Sequence, residues 1–406
     1  MGKNSITPII NGFKECLYIA PLPVLCLVIY MGLRSSIIFP DGLPSPYEQQ
    51  QLWQRSYLGW YDFLFLSSVV ISFILSSLKL AKDNFIFIWT IALIILLSLI
   101  NGLTLGKEVA LDALVNFFRF ACAFSLSVWL VRRLGSKAAE ALIVCLFIIL
   151  AITALLVYSL QFRTFVRIYA SAMAVASFSQ VTVIVCFIAL LRKYNCVLGI
   201  ALIFLVMTFS KTSILLFLFL LLFSGKFTIS NQLKYLFFIL FVAVSVVFIA
   251  LKIASNEYTA FFSFYTDIDN IFTLSGRTPI WEYALHLLQS GNIPLLGVGF
   301  NAAASLFAIG NFYYFEVGKI YYYPHFHSIL IEYGFGFGIL SGFIFFIILK
   351  RIWQTFRSNC NLSFLIFSFF FLCQSLDFTF YLPKEMIIWS LILGLAEGQW
   401  RYERGY

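Results

Sequence analysis

The side chains best suited to acid–base chemistry lie in the second half of the chain. The sequence contains three histidines, His286, His325 and His327, and histidine is the side chain whose ordinary pKa lies nearest to neutral pH. A neutral imidazole can take a proton from an attacking hydroxyl group. His325 and His327 also have the spacing of a metal-binding pair, but no cysteine and few acids lie nearby, which favours a general base. His286 lies in no motif and is expected to be an ordinary surface residue.

An arginine stands directly before a predicted helix. Thr278 followed by Pro279 is typical of a helix start, and Ser275 and Arg277 come immediately before it. A cation and free backbone N–H groups at a helix N-terminus bind anions; a capped surface helix with a solvated arginine is the alternative. Apolar residues at helical spacing then predict a short amphipathic helix that ends before Gly291: Ile280, Ala284, Leu287 and Leu288.

The composition requires lipid around most of the chain. Of the 406 residues, 62% are hydrophobic, 19% are aromatic and 11% are charged, and the mean hydropathy is +0.95. So few polar residues cannot cover a water-soluble globule of this size, which excludes a soluble enzyme. The predicted fold class is therefore an all-α polytopic membrane protein, and the surface helix is expected to lie along the membrane.

Apolar runs of about 17 to 25 residues predict about twelve membrane-spanning helices. The first of them, Tyr18–Leu33, lacks a small-residue cleavage site and is predicted to be a retained span. Between Asn195 and Ser224 two short runs meet near Lys211, so this stretch is either a tight helical hairpin or one broken helix. The predicted span centres are Val24, Val70, Leu93, Ala123, Ile149, Val181, Phe204, Phe217, Phe241, Ile339, Ser368 and Leu391.

The distribution of lysine and arginine predicts the orientation. With the N-terminus inside, more of these residues fall in inner segments than in outer ones, so both termini are expected in the cytoplasm. Residues 1–253 then form an N-terminal membrane bundle of about nine spans, 254–327 one large outer loop, and 328–406 about three C-terminal spans. This bias explains the net charge of +9 without nucleic acid as a partner.

The cysteines are predicted to be free thiols. All 8 cysteines fall in spans or inner loops, where free thiols are expected.

Further candidate site residues lie in and near the spans. Arg119 lies inside an apolar run, where an arginine is costly and usually faces a cavity or a partner; lipid phosphate and Asp112 are the two candidate partners. Three consecutive tyrosines precede the histidine pair. Tyrosines at a membrane edge commonly form an interfacial belt, whereas an aromatic wall can stack on a sugar ring, and both interpretations are open for Tyr321, Tyr322 and Tyr323.

The order of these motifs resembles that of the O-antigen ligase and O-antigen polymerase superfamily of bacterial envelope glycan assembly. Near Lys211, the stretch Thr208-Phe209-Ser210-Lys211-Thr212 resembles the short Thr/Ser-Arg motif of that superfamily. The other matching pieces are Ser275-Gly276-Arg277, Ile280-Trp281, Pro294-Leu295-Leu296-Gly297-Val298-Gly299-Phe300, and His325-Phe326-His327-Ser328 running through Glu332 and Gly334. The glycines at 297 and 299 are interpreted as a flexible connector.

The resemblance implies a multispan glycosyltransferase that takes a glycan from undecaprenyl diphosphate at the periplasmic face of the inner membrane. By the same resemblance, histidine activates the acceptor hydroxyl, Arg277, Lys211 and Ser275 hold the diphosphate, and neither a metal nor a cofactor is needed. Lys211 stands where the superfamily usually has arginine, which exchanges a two-pronged cation for a point charge. Ser328 stands where asparagine commonly follows the histidine. That departure leaves open whether His327 or His325 is the base, and His327 is favoured.

Three functions are compatible with this sequence. The first is a polymerase that joins undecaprenyl-diphosphate-linked repeat units into O-antigen or a related polysaccharide. The alternative is a ligase that moves the glycan to lipid A-core or to a protein. A transporter of lipid-linked oligosaccharide is the rival of another class, disfavoured because the polar residues gather in the outer loop and not at the membrane midplane. Expected partners are the lipid-linked glycan, the acceptor and membrane lipids, and the resemblance leaves room for a chain-length regulator and a flippase.

Overall fold

The computed structural model is built almost entirely of helices. It describes residues 6–32, 60–75, 96, 100, 107–160, 175–208, 210–224, 278–290, 295–299, 315–317, 320–322, 328–376 and 383–404. The first half contains α1 (Thr7–Ile19), α2 (Pro21–Gly32), α3 (Trp60–Leu75), α4 (Lys107–Leu134), α5 (Ser136–Leu160), α6 (Val175–Arg192), α7 (Asn195–Met207) and α8 (Lys211–Phe223). The second half contains α9 (Thr278–Ser290), β1 (Phe315–Val317), β2 (Ile320–Tyr322), α10 (Ile329–Phe337), a 3-10 turn (Gly338–Leu340), α11 (Ser341–Arg357), α12 (Asn361–Leu376) and α13 (Pro383–Glu403).

The helices agree with the predicted positions of the spans. Leu93 and Phe241 lie outside the described residues, and Ile339 falls on the 3-10 turn between α10 and α11; the other predicted centres fall on α-helices. Among the described residues, 3 helices are long and apolar enough to cross a membrane, namely Ala113–Leu134, Ser136–Leu155 and Ile329–Arg357, or up to 4 if a bent pair is one span. The chain is thus an integral membrane protein, and the figure of about twelve spans stays a prediction.

The prediction of an all-α fold holds for the described residues apart from one hairpin. Strands β1 and β2 pair antiparallel, with Phe315 opposite Tyr322 and Val317 opposite Ile320. Two residues including a glycine separate these short strands in the sequence, and such a spacing is typical of a hairpin.

The first apolar stretch is bent and not straight. Helices α1 and α2 meet at Ala20 with a bend of 116°, and Pro21, which has no N–H to donate, opens α2. The predicted span Tyr18–Leu33 therefore corresponds to α2, and α1 is an additional helix. It packs on the start of α5, where the Cys16 thiol donates a hydrogen bond to the Ala138 carbonyl at 3.2 Å.

The run between Asn195 and Ser224 forms the hairpin and not the broken helix. Helix α7 packs Phe204 against Phe178 near the start of α6, with ring centroids 5.9 Å apart. Helix α8 packs Phe217 against Phe187 near the end of α6, at 5.4 Å. Because α7 starts next to the end of α6, it runs back along α6, and α8 returns in the opposite direction.

Charged residues gather at one end of the bundle, which we call the basic end. The guanidinium of Arg192 lies 2.6 Å from buried Glu140. Buried Glu397 pairs with Arg351 at 2.9 Å and with Arg401 at 2.7 Å. All these basic residues lie in segments that the distribution of lysine and arginine assigned to the inner side. The structure thus places them on one side of the bundle, and its identity as the cytoplasmic side stays a prediction.

Helices α4 and α13 approach each other closely because α13 carries glycines one turn apart. A Cβ atom on Gly394 would lie 2.5 Å from the Phe124 carbonyl oxygen, and one on Gly398 would lie 2.9 Å from the Val131 Cβ. Membrane helices lack a hydrophobic force between them in lipid, so small residues that permit close van der Waals contact determine such interfaces.

We expect Gly394→Ala to destabilise the bundle by about 1–3 kcal/mol, because the added methyl group meets the backbone of α4. Gly199→Ala on α7 is the matched control, since a Cβ there meets nothing within 4 Å. The measurement is the thermal unfolding midpoint of both purified variants in detergent. Equal midpoints for the two variants would contradict the close packing of α4 and α13.

Candidate functional site

A layer of buried polar side chains crosses the bundle. It lies nearer to the end of the bundle that is opposite the basic end. Its centre is Gln180 of α6, whose Oε1 accepts hydrogen bonds from Gln374 Nε2 at 2.8 Å and from Trp389 Nε1 at 3.0 Å. All three residues are fully buried. A polar group in this environment is costly unless it is hydrogen-bonded, so these bonds hold α6, α12 and α13 together. We call this set the polar layer; it comprises Asn116, Arg119, Ser179, Gln180, Ser213, Gln374, Glu385 and Trp389.

Arg119 belongs to the polar layer and not to the lipid-facing surface. It is 1% exposed, and its Nη1 donates to Asn116 Oδ1 at 3.0 Å. The parallel packing of α4 and α13 places Arg119 level with the first turns of α13, which carry the buried residues Glu385 and Trp389. The side chain of Asp112 lies outside the described residues. A lipid phosphate could therefore reach Arg119 only from within the bundle.

A chain of serine hydroxyls fixes the start of α8. Ser210 Oγ donates to Ser213 Oγ at 3.1 Å, and Ser213 Oγ lies 2.7 Å from Ser179 Oγ on α6. Ser210 has an extended backbone at the N-cap position, and Lys211 is the first residue of α8 and is exposed. The serine chain therefore anchors an exposed cation and the N-terminus of α8 to a buried position on α6.

The glycine-containing segment 295–299 is fixed to the end of α10 and is not a flexible connector. Val298 N–H donates to the Phe335 carbonyl at 3.0 Å, Gly299 N–H to the Gly336 carbonyl at 2.7 Å, and Ile339 N–H to the Leu295 carbonyl at 3.1 Å. A Cβ on Gly336 would lie 2.8 Å from the Gly299 carbonyl oxygen. Gly297 has a φ of +76°, a conformation that suits glycine. The interpretation of this segment as a flexible connector is therefore wrong. Because glycine has no side chain, the backbone of the segment can approach the backbone of α10 closely enough to form hydrogen bonds with it.

The start of α10 is buried. The Glu332 N–H donates to the Ser328 carbonyl at 2.8 Å, and both residues are less than 5% exposed, at 1% and 4%. Glu332 lies in the first turn, where a negative charge is favoured by the helix dipole. Because α12 starts at the basic end beside the end of α11, α10 starts at the opposite end of the bundle. Ser328 and Lys211 thus lie at the same end.

Helix α9 confirms the predicted short amphipathic helix, with one difference. It runs Thr278–Ser290 and buries Ile280 and Ala284, at 0% and 4% exposure. Leu288, which the pattern assigned to the apolar face, is 61% exposed, and His286 is exposed. Desolvation raises the pKa of Tyr283 above its ordinary value.

The structure describes only part of the predicted site. Lys211 and Arg119 are placed as above, and the backbones of Tyr321 and Tyr322 lie in β2. Ser275, Arg277, Tyr323, His325 and His327 lie outside the described residues, so their roles stay predictions. Among the described residues, no group of three or more histidine, cysteine or acidic side chains could hold a metal ion.

Residues 196–347 match the O-antigen ligase family. The match confirms the resemblance that the ordered motifs indicated. A search of curated proteins finds no match. Members of the matched family are glycosyltransferase-like enzymes with O-antigen ligase or polymerase-type activity, which act on a lipid-linked glycan and an acceptor.

The O-antigen ligase match starts at α7 and ends within α11. It contains Lys211, Ser213 and the backbone junction between segment 295–299 and α10. Arg119, Gln180, Gln374 and Trp389 lie outside the match, although the structure brings Gln180 into the same layer as Ser213 through the adjacent residue Ser179. The polar layer thus joins the matched region to the helices before and after it.

Most of the polar layer lies outside the set of predicted site residues. The available signal was a glutamine inside an apolar run, at Gln180 and again at Gln374, because an amide in a membrane span needs an internal partner. The partners themselves could not be read from the chain. Gln180 and Gln374 are separated by 194 residues, and Gln180 and Trp389 by 209.

We expect Gly336→Ala to detach segment 295–299 from α10, since the new methyl group would overlap the Gly299 carbonyl. Amide hydrogen exchange followed by mass spectrometry should then show faster exchange at Val298 and Gly299, whose N–H groups are the donors. Gly334→Ala is the matched control two residues earlier in α10: a Cβ there meets nothing within 4 Å, so the exchange of this variant should match the wild type. Unchanged exchange in Gly336→Ala would show that the junction does not depend on that glycine.

Proposed function

We propose that this protein polymerises undecaprenyl-diphosphate-linked oligosaccharide repeat units into O-antigen or a related polysaccharide. The reaction takes place at the periplasmic face of the bacterial inner membrane, with both termini in the cytoplasm. The observation that carries the proposal is the O-antigen ligase match over 196–347, which contains Lys211, Ser275, Arg277, His325 and His327. The exposed position of Lys211, opposite the basic end, supports a site at the outer membrane surface.

The proposed residues account for the chemistry of such a transfer. The acceptor hydroxyl oxygen forms a bond with the anomeric carbon as the bond from that carbon to the diphosphate oxygen breaks. His327, or His325 in its place, takes the hydroxyl proton. The departing lipid diphosphate gains negative charge, which Lys211 and Arg277 stabilise, with Ser275 as a further hydrogen-bond donor. No metal or cofactor takes part in this scheme, since these cations neutralise the leaving group.

The remaining candidate residues have supporting roles in this proposal. Tyr321, Tyr322 and Tyr323 stack on sugar rings of the donor or acceptor. Arg119 supports the site from within the bundle, where it donates to Asn116. The proposed partners are the lipid-linked donor, the growing acceptor glycan, a flippase that delivers the donor and a regulator of chain length.

Ligation is the second candidate function, because the family that matches is described as O-antigen ligase. In that case the same residues transfer the finished glycan to lipid A-core or to a protein acceptor. A transporter of lipid-linked oligosaccharide is the remoter alternative, and the match to a family of glycosyltransferase-like enzymes counts against it.

We expect His327→Ala to abolish polymerisation, because the acceptor hydroxyl loses its base. The measurement is the lipopolysaccharide ladder of a deletion strain that carries each variant, with His286→Ala, an exposed histidine of α9, as the matched control. A single repeat unit attached to core identifies a polymerase. Bare core with long glycan on undecaprenyl diphosphate identifies a ligase, and an unchanged ladder with His327→Ala rejects the proposed base.

We expect Lys211→Ala to lower the rate of glycan transfer by about 10²- to 10³-fold, because one cation at the leaving group is lost. Lys211→Arg should keep most of the wild-type rate, because the positive charge is retained.

Ser213→Ala removes both hydroxyl contacts that hold the start of α8 and should raise the apparent KM for the lipid-linked donor severalfold. Ser177→Ala is the matched control on α6: Ser177 is fully buried, and its hydroxyl has no hydrogen-bond partner among the described residues. Steady-state transfer rates with purified enzyme and donor test all four variants, and full activity of Lys211→Ala would remove Lys211 from the site.

A further inference from the structure

Helix α1 crosses the basic end of the bundle and is not a continuation of a span. It is bent by 116° from α2 and packs on the first turns of α5. A Cβ on Gly12 would lie 2.7 Å from the Ala141 Cβ, and the Cys16 thiol donates to Ala138. Since α5 starts at the basic end, α1 lies where that end of the bundle meets the membrane interface.

One face of α1 is buried and the other presents apolar side chains outward. Ile9, Gly12 and Cys16 are buried. Ile10 is 47% exposed and Tyr18 is 88% exposed. A helix with an outward apolar face beside charged residues is typical of one that lies in the plane of a membrane interface.

The basic residues around α1 differ from the rest of the basic end in their electrostatic surroundings. Arg192, Arg351 and Arg401 are neutralised by Glu140 and Glu397. Lys14, Arg133 and Lys137 are exposed. No ion pair joins these three residues to an acidic side chain in the part of the chain that the structure describes.

An arginine and a cavity lie in the same region. The Nε of Arg132 is buried and has no hydrogen-bond partner within the described ranges. A cavity of about 380 Å³ lies between α1 and the end of α4, lined by Lys14, Glu15, Tyr18, Ile19 and Leu134. This region thus combines unneutralised positive charge, a donor that lacks an acceptor and an apolar recess.

We propose that α1 and the turn between α4 and α5 bind an anionic phospholipid of the adjacent leaflet. The headgroup phosphate meets Lys14, Arg133 and Lys137, and the start of an acyl chain lies against Tyr18 and Leu134 in the cavity. Charge complementarity selects this occupant, because clustered basic side chains at a membrane surface attract anionic lipid. The site is independent of the glycan chemistry proposed at the opposite end of the bundle.

The test compares lipid binding by full-length protein purified in a nonionic detergent. Native mass spectrometry measures the occupancy by phosphatidylglycerol and by phosphatidylcholine of the same acyl chains. The test variant is Lys14→Gln/Arg133→Gln/Lys137→Gln. The matched control is Lys193→Gln/Lys350→Gln/Arg357→Gln, which removes three exposed positive charges from the same chain but away from α1.

We expect the wild type and the control to prefer phosphatidylglycerol, and the test variant to bind it at least about tenfold more weakly, given the attraction of each basic residue to anionic lipid. Undiminished phosphatidylglycerol binding by the test variant would overturn the proposal. An equal loss of phosphatidylglycerol binding in both triple variants would also overturn it, because net charge alone would then explain the binding. The same holds if the wild type shows no preference for phosphatidylglycerol over phosphatidylcholine. Ile10→Ser/Tyr18→Ser should weaken the binding of both lipids, because the outward apolar face of α1 becomes polar. The thermal unfolding midpoints of all variants verify that each is folded.

Discussion

A membrane interior offers no water to hydrogen-bond, so each polar side chain inside it must find its partner in the protein. Gln180 shows the consequence most directly. Its one carbonyl oxygen accepts from Gln374 and from Trp389, and these bonds fix the depth at which α6, α12 and α13 meet. Around them, van der Waals contact at Gly394 and aromatic ring pairs such as Phe187 and Phe217 supply the packing.

The two ends of the bundle meet this constraint in different ways. At the basic end, buried Glu140 and Glu397 accept from arginines that reach toward the surface. In the polar layer, Gln180 and Ser213 form hydrogen bonds with neutral groups, and Arg119 donates to an amide oxygen. Lys211 is an exposed cation at the end of the bundle opposite the basic end.

Backbone contact replaces side-chain contact at the end of α10. Glycines on both sides allow segment 295–299 to bond directly to residues 335–339. The segment between α9 and α10 is thereby tied at this point to the helix that the histidine pair directly precedes. The bonded residues lie at the end of α10, so the junction holds this helix from the end opposite Ser328.

Composition and the length of apolar runs were enough to predict a helical membrane protein, because lipid accepts only chains whose backbone polar groups are paired within the protein. The ordered motifs were enough to indicate the superfamily, and the helix at 278–290 followed from its start signal and apolar spacing. Tertiary structure alone decided that the glycines at 297 and 299 form a junction, that 195–224 forms a hairpin, that α1 turns across the basic end, and that Gln180 meets Gln374 and Trp389. The physical reason is the same in each case: a span shows its hydrophobicity locally, whereas the partner of a buried amide, carbonyl or glycine is supplied by a distant part of the chain.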